Sequence, residues 1–151
     1  MDTQYIHYGN DHMDVNYNYD TDIEKNTLKC KPPYGVWASR VDSNFGWKDW
    51  CEAEDFGDLS ISCKFTLKPS ANILEIHEEE DILPYIVNDY KSRLNEFYTI
   101  KTKILDEIDW NTLMKKYDGL EVFMSHQLHM GVFNTWDCDS LVIWNLSVIE
   151  Q

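Results

Sequence analysis

The sequence predicts a mixed α+β fold in a single domain that spans residues 1–151. Segments with the alternation typical of β-strands lie near both ends of the chain, and segments with helical patterns lie between them. The connections are uneven and some are long, which favours a mixed fold over a regular array of β-α-β units. A chain of 151 residues suits one domain, and its 43% hydrophobic residues are enough for a sizeable core.

Three strands and one helix are predicted in the first half of the chain. The first strand is indicated by β-favouring side chains that end at Gly9, and the third by the apolar alternation of SISCKFTL. In GWKDWCEAE, Trp47 and Trp50 stand three positions apart and therefore share one face of a helix. The predicted elements are strand 3–9, the long polar loop 10–33, strand 35–39, helix 46–54 and strand 60–67.

The second half is predicted to contain two helices and three strands. The run from Glu78 to Asp81 opens the first helix, because acidic side chains suit the positive end of the helix dipole. Asp109 is a good N-cap for the second helix, and Gly119 follows where that helix should end. The predicted elements are strand 71–76, helix 78–90, helix 110–117, strand 120–124 and strand 141–144, with residues 91–104 ambiguous and residues 125–136 irregular.

The chain is strongly acidic and rich in aromatic residues. A net charge of −14 would repel a phosphate backbone, so we expect no direct nucleic-acid binding. Such a charge serves either solubility or the imitation of nucleic acid on the basic surface of a partner protein. Aromatic residues make up 14% of the chain, which is consistent both with an aromatic core and with a ligand pocket.

The cysteine pattern and the hydropathy favour a cytoplasmic protein with free thiols. None of the four cysteines forms a CxxC pair, which argues against a zinc ribbon or a thioredoxin-like motif. The first residues lack the basic and apolar regions of a signal peptide, and no apolar run approaches the roughly 20 residues that a membrane span needs. His126 and His129 form a weak candidate metal pair without a third ligand of clear spacing, so we expect no metal site.

Polar residues recur at the ends of the predicted strands. His7, Tyr8 and Gly9 end the first strand, Ser39 ends the second, and the acidic pair in Asp137–Asp139 leads into the apolar strand that begins at Leu141. A YDG turn precedes the strand before it, and an apolar segment IWNLSVI closes the chain. In this order and spacing, the motifs resemble those of the ADP-ribosyltransferase fold. The segments KPPYGVWASR and GWKDWCEAED are also similar to a recurrent signature of small bacterial and phage proteins.

This resemblance implies two short sheets around a central cleft with flanking helices, and NAD as the substrate. A carboxylate would stabilise the positive charge that develops on the ribose as nicotinamide leaves. The resemblance implies catalytic roles for Asp139, Asp137 and Ser39. It implies NAD-binding roles for His7, Tyr8, Gly9, Tyr34, Trp37 and Trp47. Strand alternation allows only one of His7 and Tyr8 to face the cleft. Asp139 stands where the family has Glu, and Tyr8 rather than His precedes the glycine.

Each of these residues also has a structural interpretation. A single histidine on a strand is usually a satisfied structural residue, Asp137 and Asp139 suit a turn, and the two tryptophans suit a helix face packed on a sheet. Three functions therefore stay open. The chain could transfer ADP-ribose to a host protein target, for example as a phage inhibitor of bacterial defence. It could bind a nucleotide without turnover, or block a basic partner with its acidic surface.

Overall fold

The computed structural model describes residues 2–19, 31–87, 107–124, 131–133 and 135–151. The strands are β1 (Tyr5–Tyr8), β2 (Val36–Arg40), β3 (Ser62–Leu67), β4 (Ile73–Ile76), β5 (Ile86–Val87), β6 (Glu107–Ile108), β7 (Gly119–Val122), β8 (Ser140–Ile143) and β9 (Ile149–Glu150). The helices are α1 (Trp47–Glu54) and α2 (Trp110–Lys116). The α+β class predicted from the sequence is confirmed.

Seven of these strands form one sheet. Their order is β4-β7-β8-β2-β1-β3-β9, and β5 pairs with β6 as a separate two-stranded sheet. Strands β4 and β7 are parallel, while the other pairs in the large sheet are antiparallel. Chain order and sheet order differ, so β2 and β1 lie inside the sheet, with β8 beside β2 and β3 beside β1.

Each face of the large sheet has its own core, because successive side chains of a strand point to opposite faces. One core contains Leu120, Val122 and Val142 from the central strands, with Trp110 and Leu113 of α2 packed on them. The residues of the other core are Tyr5, Met13, Ala38, Cys63, Phe65, Leu141, Ile143, Leu146, Val148 and Ile149. The burial of Cys63 and Phe65 confirms the predicted alternation of β3, whereas Ile61 precedes the strand and is exposed.

The two helices begin and end close to their predicted positions. Gly46 precedes α1, and its N–H donates to the carboxylate of Asp49 at 2.9 Å. Asp55 ends the helix in a left-handed conformation, with φ at 50°. Asp109 caps α2 as predicted, because its carboxylate accepts from the backbone N–H of Thr112. In the described parts of the chain, no helix is long and apolar enough to cross a membrane.

The predicted helix 78–90 is wrong over the residues that the structure describes. Glu79–Asp81 and Leu83–Tyr85 form short 3₁₀ turns, and Ile86–Val87 is a strand. Pro84 has no N–H to continue a helical ladder, and the β-branched pair that follows favours extended structure. The acidic run serves a local turn, since the Asp81 carboxylate accepts from the N–H groups of His77 and Glu78.

The second half of the chain departs from the prediction in two other places. Gly119 does not end a helix but begins β7, where an added Cβ would lie 2.6 Å from the Val142 carbonyl oxygen. The sequence also gave no separate prediction for β9, which follows the 3₁₀ turn Leu146–Val148 and pairs with β3. The described residues do not include the predicted segment 91–104. They also lack parts of other predicted segments, namely residues 20–30, 88–90 and 125–130.

Candidate functional site

The candidate site forms where β1 and β2 separate. Their ladder pairs Tyr5 with Arg40 and Ile6 with Ser39, but it does not continue to the remaining residues of either strand. The side chain of His7 bridges the opening, with Nδ1 at 2.7 Å from the Trp37 carbonyl oxygen. Its Nε2 lies 3.2 Å from the side-chain amide of Asn10. The tautomer with its proton on Nδ1 satisfies both contacts, because Nδ1–H then donates and Nε2 accepts.

A pocket of about 400 Å³ opens beside this point. Its walls come from the end of β1, from β2, from α1 and from the loop that follows α1. The lining residues are His7, Tyr8, Gly9, Trp37, Trp47, Cys51, Phe56, Gly57, Asp58 and Leu59. Its volume and its largely aromatic lining are those of a small-molecule site.

The aromatic rings around the pocket support one another in edge-to-face contacts. The ring of Trp47 lies 6.0 Å from that of Trp37 and 5.7 Å from that of Trp50, in both cases nearly perpendicular. Trp50 in turn contacts Phe56 at 5.3 Å. On the other side, Trp37 packs on the buried Trp136 with 4.8 Å between ring centres. Such contacts hold flat side chains in fixed orientations, so the pocket walls are preorganised.

The indole N–H of Trp47 is buried, and no hydrogen-bond acceptor for it occurs among the described residues. Buried donors are nearly always paired in proteins, so this group calls for an explanation. Trp47 forms part of the pocket wall, and an acceptor atom on a bound ligand is one partner that could satisfy it after a small movement of the ring.

The environment of the pocket is acidic. Asp58 is part of the lining, and α1 brings the carboxylates of Glu52 and Asp49 towards Tyr8. Burial, and after it these two carboxylates, raise the pKa of Tyr8. Burial also raises the pKa of the Cys51 thiol, which keeps it in its less reactive protonated form. Among the described residues, the lining contains no lysine or arginine.

Ser39 and Asp139 meet directly next to this pocket. The buried hydroxyl of Ser39 donates to the Asp139 carbonyl oxygen at 2.7 Å and accepts from the backbone N–H of Trp47 at 2.9 Å. The N–H of Asp139 donates to the Phe45 carbonyl oxygen at 3.0 Å. Ser39 therefore joins β2, the start of α1 and the segment before β8. Asp139 is buried, with 8% of its surface exposed, whereas Asp137 is exposed.

The structure brings together most of the residues predicted to bind NAD. His7, Tyr8, Gly9, Trp37 and Trp47 line the same pocket. Tyr34 does not line it, and instead its ring stacks on Tyr19 with 5.0 Å between ring centres. The residues predicted to be catalytic, which are Asp137, Asp139 and Ser39, also lie outside the lining.

Tyr8 shares its face of the sheet with Ile6, and therefore with Ser39, which pairs with Ile6. His7 lies on the alternate face and also lines a second cavity of about 310 Å³, together with Met13 and Leu146. Tyr8 is therefore the first-strand side chain on the α1 side of the sheet, while His7 reaches back across the opening between the strands.

Sequence reasoning did not identify an ionic cluster on the opposite face of the sheet. Nε and Nη2 of Arg40 donate to the two carboxylate oxygens of Glu121, both at 2.8 Å. Glu75 accepts from the same guanidinium at 3.3 Å, and the Tyr5 hydroxyl donates to Glu121 at 3.3 Å. The sequence contained an indication of this cluster. Glu121 is the one charged residue in the strand segment GLEV, and a charged side chain that is buried in a strand needs a partner of opposite charge.

The described residues contain no cluster of three or more histidine, cysteine, aspartate or glutamate side chains that could hold a metal ion. The candidate pair His126 and His129 lies outside the described residues. Cys51, Cys63 and Cys138 are free thiols. No model of a known protein family matches the chain, and no curated protein or solved structure matches it either.

Proposed function

We propose that this chain is an ADP-ribosyltransferase-like protein that binds the nicotinamide–ribose end of NAD in the aromatic pocket. One observation carries the proposal. Residues chosen from the sequence for contact with NAD come from β1, β2 and α1, and the structure gathers them around a single pocket. His7 and Trp37 lie on neighbouring strands and Trp47 on the helix that follows, and all three line one cavity together with Tyr8 and Gly9.

The shape and chemistry of the pocket support this ligand. A volume of about 400 Å³ lies within the range of small-molecule sites and admits a planar ring with an attached sugar. The rings of Tyr8 and Trp47 offer flat apolar surfaces for a nicotinamide ring. The carboxamide of nicotinamide carries a carbonyl oxygen, which is an acceptor of the kind that the buried indole N–H of Trp47 lacks among the described residues.

The proposed reaction breaks the bond between the nicotinamide nitrogen and C1′ of the ribose. The bonding electron pair leaves with nicotinamide, positive charge develops on the ribose, and an acceptor nucleophile or water forms the new bond at C1′. A nearby carboxylate would lower the energy of that charge. We assign this role to Asp139, because its backbone is joined through Ser39 to Trp47 at the pocket wall.

Nicotinamide release and NAD binding, measured on the same protein, test this proposal. Calorimetry should detect NAD binding that Tyr8→Ala and Trp47→Leu weaken at least about tenfold, since each variant removes an aromatic ring that the bound ligand would cover. Asp139→Asn should lower nicotinamide release at least about 100-fold with little change in affinity, because it removes transition-state stabilisation. Asp42→Asn is the matched control, an exposed aspartate in a separate cavity with Arg40. Absence of NAD binding would contradict the proposal.

Label transfer from radioactive NAD to proteins of a bacterial lysate would reveal the acceptor that a transferase requires. Asp137→Asn separates the two acidic candidates, because the exposed Asp137 should be dispensable if Asp139 stabilises the ribose. Loss of turnover in Asp137→Asn alone would move the catalytic role to Asp137.

A second candidate function is nucleotide binding without turnover. It is favoured by the hydrogen bonds of Ser39, whose hydroxyl is already engaged as a donor and as an acceptor within the fold. The same experiment distinguishes the two functions. Binding of NAD with no nicotinamide release in the wild-type protein, and no change in Asp139→Asn, would favour the binding function.

A further inference from the structure

We propose that the aromatic pocket selects a positively charged ring or ammonium head group over neutral and anionic groups of the same size. This inference rests on the proposed use of the pocket as a ligand site, and it defines the charge class of the ligand. It is carried by the combination of aromatic walls with carboxylates at a cavity to which the described part of the chain contributes no lysine or arginine.

The walls present aromatic faces and edges from four side chains, Tyr8, Trp37, Trp47 and Phe56. The face of an aromatic ring carries partial negative charge and attracts cations, most strongly when water is excluded. The structure already contains such a contact, because Nζ of Lys31 lies 5.9 Å from the ring centre of Trp37. Lys31 is not part of the lining, so the other three rings remain the surfaces on which a ligand cation would rest.

Carboxylates near the pocket add to the negative electrostatic potential of the ring faces. Asp58 belongs to the lining, and a hydrogen bond from the N–H of Ser60 to its carboxylate helps to keep it ionised. Glu52 and Asp49 add negative charge near a second lining residue, because both carboxylates act on the Tyr8 hydroxyl. Lys48 is the basic neighbour of Glu52 on α1, but the two groups are exposed and 4.0 Å apart, so their pairing neutralises little of this field.

Three probes with the same pyridine ring isolate the effect of charge. They are nicotinamide, which is neutral, 1-methylnicotinamide, which is methylated on the ring nitrogen and is therefore a permanent cation, and nicotinate, which is an anion at pH 7.5. Affinities measured by ligand-observed NMR at low ionic strength should rank the cation first and the anion last. Cation–π contacts at a partly exposed site predict that 1-methylnicotinamide binds about three- to fivefold more tightly than nicotinamide.

A pair of double variants separates the local field from the overall charge of the protein. Glu52→Gln with Asp58→Asn should lower the ratio of cation to neutral affinity by about twofold or more, as expected for two charges near the ligand in an aqueous setting. Asp42→Asn with Glu79→Gln makes the same change in net charge at exposed sites outside the lining and should leave the ratio unchanged.

Equal affinities for the cation and the neutral probe, no binding of either, or equal effects of the two double variants would each overturn this inference. Its failure can be distinguished from failure of the proposed function. Binding of 1-methylnicotinamide without binding of NAD would refute the NAD function and retain the cation site. Binding and turnover of NAD with no preference among the three probes would refute the cation preference and retain the NAD function.

Discussion

Replacement of Arg40 by methionine tests the principal ionic contact of the sheet. The carboxylate of Glu121 has only 4% of its side chain exposed and receives two hydrogen bonds from Arg40, both at 2.8 Å. Removing one partner of a buried ion pair costs about 3–5 kcal/mol, because a charge is left buried without compensation. Since 28% of the Arg40 side chain is exposed, we expect Arg40→Met to lower the free energy of unfolding by about 2–4 kcal/mol.

Arg40→Met removes the charge of the guanidinium but not all of the packing of its side chain. Methionine retains an apolar side chain for contact with the rings of Phe123 and Tyr5, which lie 5.0 and 6.0 Å from the guanidinium carbon.

Urea unfolding followed by tryptophan fluorescence measures these free energies, and a double-mutant cycle with Glu121→Gln completes the test. Arg40→Met combined with Glu121→Gln should be more stable than the sum of the single effects predicts, by about 2 kcal/mol, because the double variant buries no unpaired charge. A loss below about 1 kcal/mol in Arg40→Met, or simple additivity of the two substitutions in the double variant, would refute this explanation of the cluster.

Two further predictions concern packing and alkaline stability. Gly119→Ala should lower the free energy of unfolding by about 2–3 kcal/mol, because the new Cβ would meet the Val142 carbonyl at 2.6 Å. Gly57→Ala, where the space is open but φ is +73°, should cost about 1 kcal/mol in the same urea titration. Burial raises the pKa of the Cys138 thiol from 9.0 to about 12, so the folded state retains that proton while the unfolded state loses it. Stability should therefore fall by up to about 1.4 kcal/mol per pH unit above pH 9, and an unchanged slope in Cys138→Ala would contradict this assignment.

Elements with a strong local pattern could be predicted from the sequence. The alternation of β3 and the cap at Asp109 depend on neighbouring residues, so no knowledge of the tertiary fold was needed. The helix predicted from Glu78 failed because an acidic run is compatible with several local structures. Its carboxylates close a turn here, and Pro84 precedes a β-branched pair that joins a strand from a segment about 20 residues further on.

The arrangement of the strands could not be obtained in this way. The parallel pairing of β4 with β7 joins Ile73 to Gly119, and no local pattern encodes a contact over that separation. For the same reason, the pairing of Arg40 with Glu121 was missed, although each residue separately breaks an apolar pattern. A charged residue inside an apolar strand pattern indicates that an oppositely charged partner exists. Only the strand topology shows which residue that partner is.

The pocket could be predicted in part. Five lining residues were named from motifs and from their aromatic rings: His7, Tyr8, Gly9, Trp37 and Trp47. Cys51 on α1 and the four residues 56–59 were missed. These four follow the end of α1 in a loop, where no periodicity shows which side chains turn inward. Tyr34 was named as an aromatic that could stack on nicotinamide, but its ring stacks on Tyr19.

The position of Ser39 explains why the pocket and the acidic segment before β8 belong to one unit. β2 pairs with β8 through Val36–Ala38 and with β1 through Ser39 and Arg40, so it changes neighbours where the β1 ladder ends.

The α1 helix meets β2 at the same point. An added Cβ on Gly46 would lie 2.9 Å from Ser39 Cβ, and the next residue, Trp47, donates its N–H to the Ser39 hydroxyl. The helix therefore approaches the sheet closely at its first turn, and its tryptophan is fixed as a pocket wall by a serine that also holds the Asp139 carbonyl. A shift of the acidic segment would therefore act on the hydrogen bonds of this one hydroxyl, which also accepts from the backbone N–H of the pocket-wall residue Trp47.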